Sequence, residues 1–245
     1  MTGRPLGSLA AAAGARPTGV TAKGDPVTTP VYLELGSKRI FACSLDWPGW
    51  CRSGKTEQAA LEALSAYAPR YAPVAVEAGK RFPKNAGDSL EVVERLPGSA
   101  TTDFGAPAAT PEADLEPLTK AQAARQADFL RASWVVFDRV VASAPATLRK
   151  GPRGGGRDRD AIVDHVLGAE VAYARKIGLR HAQPAGDDRE ALEAVRSSIE
   201  AAIRDARAPL PADLPKGWPF RYAARRFTWH VLDHAWEIED RSQPA

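Results

Sequence analysis

Apolar and polar positions follow a strand period in the first third of the chain and a helix period in the rest. Val31-Tyr32-Leu33-Glu34-Leu35 reads as a short strand, Gly36-Ser37 as a two-residue turn, and Lys38 to Leu45 as the returning arm of a hairpin. Asp46-Trp47-Pro48-Gly49 is a turn, and Trp50 to Ser53 fits a short third strand. From Thr56 the period changes. Glu57, Ala59, Ala60, Leu61, Ala63, Leu64 and Tyr67 form a helical stripe, broken or kinked by Pro69 and Pro73 and resumed over Val74 to Ala78. Ser89 to Leu96 reads as a last strand, giving the order β-β-β-α-β.

Residues 98–116 carry few large apolar side chains and many Gly, Ala, Thr and Pro, as an interdomain linker does. Beyond it the apolar steps are helical. Thr119 and Gln122 have the spacing of a capping box, followed by a long stripe from Ala121 to Val141 that ends near Pro145. Asp160 to Ile177 is a second helix with Gly178 as its stop. A third starts at Asp187 and ends before Pro209, Pro211 and Pro215, and a fourth begins near Pro219 or Arg221. The expected architecture is an α+β domain over 27–97, a linker over 98–116, and an all-α up-down four-helix bundle over 117–242.

Composition adds limits. The chain has 245 residues, 44% hydrophobic and 26% charged, with a net charge of +3, which argues for no nucleic-acid partner. No apolar run is long enough to span a membrane. Residues 1–26 are rich in Ala, Gly, Pro and Thr and read as a disordered tail or an over-extended start. Cys43 and Cys51 are the only cysteines; they form neither a disulfide scaffold nor a repeated metal-ligand pair, so two reduced thiols in a cytoplasmic protein are expected. The basic run from Arg149 to Arg159 has no aromatic residue to stack on bases and reads as a solvated loop.

Gly49 to Thr56 matches the phosphate-binding Walker A pattern, with Lys55 and Thr56 in its functional positions. Trp50 and Cys51 are too bulky for a loop that wraps a phosphate, and no apolar strand ending in Asp follows to hold the metal. Nucleotide binding is therefore not expected. The same residues fit Phe41-x3-Leu45-Asp46-x-Pro48-Gly49-x4-Gly54-x-Thr56-x3-Ala60-x3-Leu64, which resembles a HicB-like small domain over 27–97. The resemblance implies that Thr56 caps a helix and that Gly54 supplies a special backbone angle. Such domains commonly belong to antitoxins, but no DNA-binding ribbon or helix-turn-helix follows here.

The segment from Arg225 to Asp240 holds two of the four histidines, His230 and His234, one helical turn apart. Two imidazoles so placed either sit as satisfied core histidines or chelate one divalent ion together with a third ligand. His165, among the small neighbours Gly168, Ala169 and Ala172, supplies that third candidate from the second helix, whereas His181 falls in a loop. Arg226 lies one turn back on the His230 face and, with Arg225, is a candidate clamp for a substrate carboxylate. Asp233 and Glu237 are candidate acceptors for imidazole N–H groups.

A His in the second helix followed by His-x3-His in the fourth resembles the DinB-like superfamily, which includes bacillithiol transferases and the mycothiol-dependent maleylpyruvate isomerase. The match covers roughly 117–242, on Asp164-His165-Val166-x3-Glu170 and Trp229-His230-x2-Asp233-His234. It implies a divalent metal on His165, His230 and His234, by default zinc, with nickel, iron or manganese as alternatives. It also implies a low-molecular-weight thiol that attacks a small electrophile, as in a transferase or isomerase; a small metal-dependent hydrolase is the other enzymatic expectation. The competing expectation is a non-enzymatic, metal-stabilised interaction module or a toxin-antitoxin component. Aromatic side chains on several faces of the last helix leave room for a homodimer.

Overall fold

The computed structural model describes residues 28–151, 155–206 and 217–242; the tail expected over 1–26 and the prolines at 209, 211 and 215 lie outside them. An N-terminal part holds a four-stranded sheet, and the rest is mostly helical. The strands are β1 (Thr29–Leu35), β2 (Ile40–Ser44), β3 (Cys51–Gly54) and β4 (Leu90–Pro97), in the order β3-β2-β1-β4. The hairpin β1–β2 and the pair β2–β3 are antiparallel, as the short turns require, while β4 joins β1 in parallel after a helical crossover.

That crossover contains α1 (Glu57–Ala66) and α2 (Ala68–Glu77). Pro69 falls in the first turn of α2, where its missing N–H costs nothing, so a new helix starts where the sequence suggests a kink. Alternation along the strands divides their side chains between two faces. Val31, Leu33, Ala42 and Trp50 meet Ala60, Leu64 and Tyr71 of α1 and α2. Tyr32, Phe41, Cys43 and Cys51 face the other way, onto Trp229.

Gly49 and Gly54 have different physical roles. Gly49 takes the positive φ of 85°. Gly54 stands in β3, and a Cβ there would come within 2.4 Å of the Ala60 backbone nitrogen. The special angle expected of Gly54 is thus found at Gly49, and Gly54 is needed for close packing of β3 on α1. Thr56 caps α1 by accepting from Ala59 N. The Walker-like stretch is therefore a turn, a strand and a helix cap. Cys43 and Cys51 are direct partners in the β2–β3 register and are joined as a disulfide, which corrects the expectation of two reduced thiols.

The segment 98–116 contains two short helices, α3 (Ala100–Phe104) and α4 (Glu112–Leu115). Two buried charges hold it down. Glu34 of β1 accepts hydrogen bonds from Thr102 Oγ1 and from the backbone N–H groups of Ala108 and Ala109. Asp114 of α4 pairs with Arg225 at 2.6 Å, and both side chains are almost wholly buried.

The longer helices are α5 (Lys120–Ser143), α6 (Arg159–Ala174), α7 (Arg189–Arg204) and α8 (Phe220–Ser242), with a 3-10 turn at Arg175–Ile177. Thr119 and Gln122 form the expected capping box on α5, and Gly178 ends the second helical pattern with φ 87°. The expected up-down alternation fails at one link. α6 and α7 run in the same direction, because the connection between them returns along α6, where Gln183 Nε2 donates to Asp164 O. α5 and α8 run together in the opposite sense: Gln122 meets Arg221 at one end, while Val140 and Ser242 line one cavity at the other.

α8 belongs to both parts. Phe227, Val231, Ala235 and Ile238 enter the helical core with Leu130, Phe137, Ile162 and Ile199. Leu232 and Trp236 enter the core beneath the sheet, together with Phe129 and Ala132 of α5. Trp229, Trp236 and Phe227 are all buried within the chain, so the aromatic faces that left room for a homodimer are already covered. Among the described residues, no helix is long and apolar enough to cross a membrane.

Candidate metal centre

α6 and α8 bring the three chosen histidines together. One potential ligand atom from each of His165, His230 and His234 lies within 4.8 Å of the other two. The Nε2 atoms of His165 and His230 are 3.3 Å apart. Two nitrogens on one tetrahedral zinc, each at about 2.0–2.1 Å, would be separated by about 3.4 Å. The ring centroids are 4.6–5.1 Å apart and the planes cross at 55–85°, so the imidazoles converge edge-on instead of stacking.

The protonation of the site suits a cation. Burial, followed by the charges of His234, His165, Arg226 and Arg157, holds the His230 pKa well below its ordinary 6.5. Burial is also the main cause that lowers His165, helped by His234 and Arg157 and opposed by Glu237. Both rings are therefore neutral at neutral pH, the form in which imidazole offers a lone pair. His234 is oriented from behind: its Nδ1 is 2.8 Å from Glu237 Oε2, and Arg241 Nη1 donates to the other Glu237 oxygen at 2.7 Å. The His234 bond, ahead of all other influences, lowers the Glu237 pKa. A ring that gives its Nδ1 proton to a carboxylate presents Nε2 to the centre.

The other sequence candidates divide. Asp233 does not touch an imidazole; it pairs with Arg52 of β3 at 2.8 Å and links α8 to the sheet. Arg225 spends four of its five N–H donors on Asp114 and on the carbonyls of Ser44 and Leu45, and its side chain is only 6% exposed. Arg226 does lie beside the centre. Its Nη1 donates to Pro107 O at 2.6 Å, and its guanidinium packs over Tyr173 and Trp229 at 5.4 and 4.8 Å. His181 is outside the cluster and bonds Ser198 at 2.7 Å.

Sequence reasoning missed three neighbours. Tyr173, one helical stretch after His165 on α6, sets its ring edge-on to His230 at 5.5 Å. Arg157, in the basic run read as a solvated loop, is exposed but close enough to bias both His165 and His230. Arg241 stands four residues after Glu237, the spacing of a helical ion pair, and that was the available signal. The arrangement can hold a divalent cation on three neutral ligands, leaving coordination positions open on a rim that carries positive side chains. Searches against family models, curated proteins and solved structures found no match to the chain.

Proposed function

We propose that the helical part is a DinB-like metal protein, in which His165, His230 and His234 hold one divalent cation, and that it catalyses a thiol-dependent transfer or isomerisation. The observation that carries this reading is the convergence of three imidazoles from two helices, with His165 and His230 held neutral. Zinc is the first choice for three nitrogen ligands, with nickel, iron or manganese next. A bound cation would supply Lewis acidity, lowering the pKa of a thiol or water in an open position. The chain's own side chains do the rest. Glu237 and Arg241 fix the His234 ring, and Arg226 places a positive charge beside the centre for an anionic group of the thiol or its small electrophilic substrate. The cytoplasm is the proposed compartment, since low-molecular-weight thiols are kept reduced there; the Cys43–Cys51 disulfide, unusual in that compartment, is 1% and 2% exposed and so shielded from those thiols.

The test is metal content per chain in the wild type and in His165→Ala, His230→Ala and His234→Ala, followed by turnover of electrophiles with cellular thiols before and after chelation. Stoichiometric metal lost in each variant, with activity that chelation removes, supports the reading. Metal-free wild-type protein after zinc loading overturns it. A second reading keeps the metal and drops the catalysis. α8 packs its other residues, Leu232 and Trp236, against the HicB-like sheet, so a cation could stabilise an interaction module. Bound metal with no turnover favours that reading.

A further inference from the structure

A second cluster of polar groups lies at the opposite end of the fold from the His234–Arg241 relay. A cavity of about 320 Å3 opens between the turn after β2 and the first turns of α5 and α8. Asp46, Trp47, Gln122, Arg125, Gln126 and Arg221 line it. Arg221 is nine residues before His230, which is about 13 Å along a helix, so the cavity is separate from the histidines.

Its two arginines lack carboxylate partners among the described residues. Arg125 Nη1 donates to the Asp46 carbonyl at 2.7 Å, and its guanidinium lies over the rings of Trp47 and Phe129 at 4.9 and 4.6 Å. Arg221 has one long bond, from Nη2 to Gln122 Oε1 at 3.4 Å, and that oxygen already accepts from Thr119 N in the capping box. The Nε of Arg221 is buried without a partner among the described residues. So is Oε1 of Gln126, whose residue is 4% exposed. Two residues that line the cavity thus each keep a buried polar atom without a partner among the described residues, which folded proteins rarely tolerate. Burial lowers the pKa of both arginines, the opposite of what a paired carboxylate does for Arg204. The Asp46 side chain is exposed and forms no ion pair with either guanidinium.

We propose that this cavity binds a small oxyanion-bearing molecule, a carboxylate or a phosphate, between Arg125 and Arg221. A planar guanidinium pairs with either anion through two parallel hydrogen bonds. The volume is at the lower end of small-molecule sites, so the ligand is the size of a short hydroxy or amino acid or a small phosphate ester. The Trp47 and Phe129 rings hold the Arg125 guanidinium plane in place. Because the turn after β2 supplies one wall and α5 and α8 the other, the ligand would bridge the sheet part and the helical part.

The experiment is calorimetric titration of the chelator-treated full chain with inorganic phosphate, with lactate and with glycerol phosphate as separate probes. Chelation removes any anion binding at a metal on the histidines. Saturable binding is expected for at least one probe, weakened at least tenfold in Arg221→Gln and in Arg125→Gln. Asp46→Asn removes a negative charge at the mouth without touching the core, so it should tighten binding. A preference for lactate identifies a carboxylate ligand; a preference for the phosphates identifies a phosphorylated one. No saturable binding of any probe, or equal binding by folded Arg221→Gln, overturns the proposal. So does an Asp46→Asn variant that binds no more tightly than the wild type.

Discussion

Glu237 and Asp233 are equivalent by sequence, each an acid within one turn of His234, yet only Glu237 reaches an imidazole. The difference is the side of α8 on which each stands: Asp233 points to β3 and Arg52, a contact no helical spacing could announce. Glu237→Gln is therefore expected to weaken zinc binding by roughly 10–100-fold, as loss of a ligand-orienting acceptor does. Asp233→Asn should leave zinc affinity unchanged, measured by competition with a chromophoric chelator. The depressed pKa values of His165 and His230 carry a second expectation. In the unfolded chain both rings take up protons near 6.5, whereas in the folded chain they do so only at lower pH. Without metal, the stability tied to these rings is fully present above that value and is lost as pH falls through it toward the folded pKa. The urea midpoint of chelated wild type should drop from about pH 7.5 to about pH 5.5, and the drop should be smaller in His230→Gln.

Among the elements, all four strands and the long helices follow from apolar period and cap chemistry. The sequence could also argue against a phosphate loop at Gly49 to Thr56, because Trp50 and Cys51 are bulky and no apolar strand ending in Asp follows. It could not say which glycine needs which property, since that depends on how closely β3 approaches α1. Gly54→Ala should be strongly destabilising through collision with the α1 backbone, whereas Thr56→Ala removes one cap bond and should cost about 1 kcal/mol, both read from chemical denaturation. The Cys43–Cys51 pairing was equally hidden, because eight residues of separation carry no register until β2 and β3 are aligned. Alkylation of the denatured chain without reductant should label neither cysteine, and labelling of both would oppose the pairing.

For the whole molecule, the composition of 98–116 suggests a tether, while the structure ties this segment down at Glu34 and at Arg225. Its few apolar residues hid this, because the fixing contacts are polar and come from distant parts of the chain. Removing one partner of a buried ion pair leaves an uncompensated charge, so Asp114→Ala should cost about 3–5 kcal/mol. The same variant should open 98–116 to limited proteolysis before the rest unfolds. The three-histidine cluster, by contrast, was visible in outline: scarce histidines, one helical spacing and one small-residue surround were enough to choose its members. The direction of α7 was not, because the number of residues in a link does not say whether it turns at once or runs back first.

Helix α8 presents one row of side chains to the imidazole-bearing helical part and another to the sheet. Recombination that exchanged the front piece for an unrelated one would leave Leu232, Trp236 and the Asp233 carboxylate facing solvent. Descent would therefore keep the halves together. A change at Tyr67 or Arg52 should be answered in related chains by a change on α8, at Trp236 or Asp233, so the two halves would carry a shared substitution history.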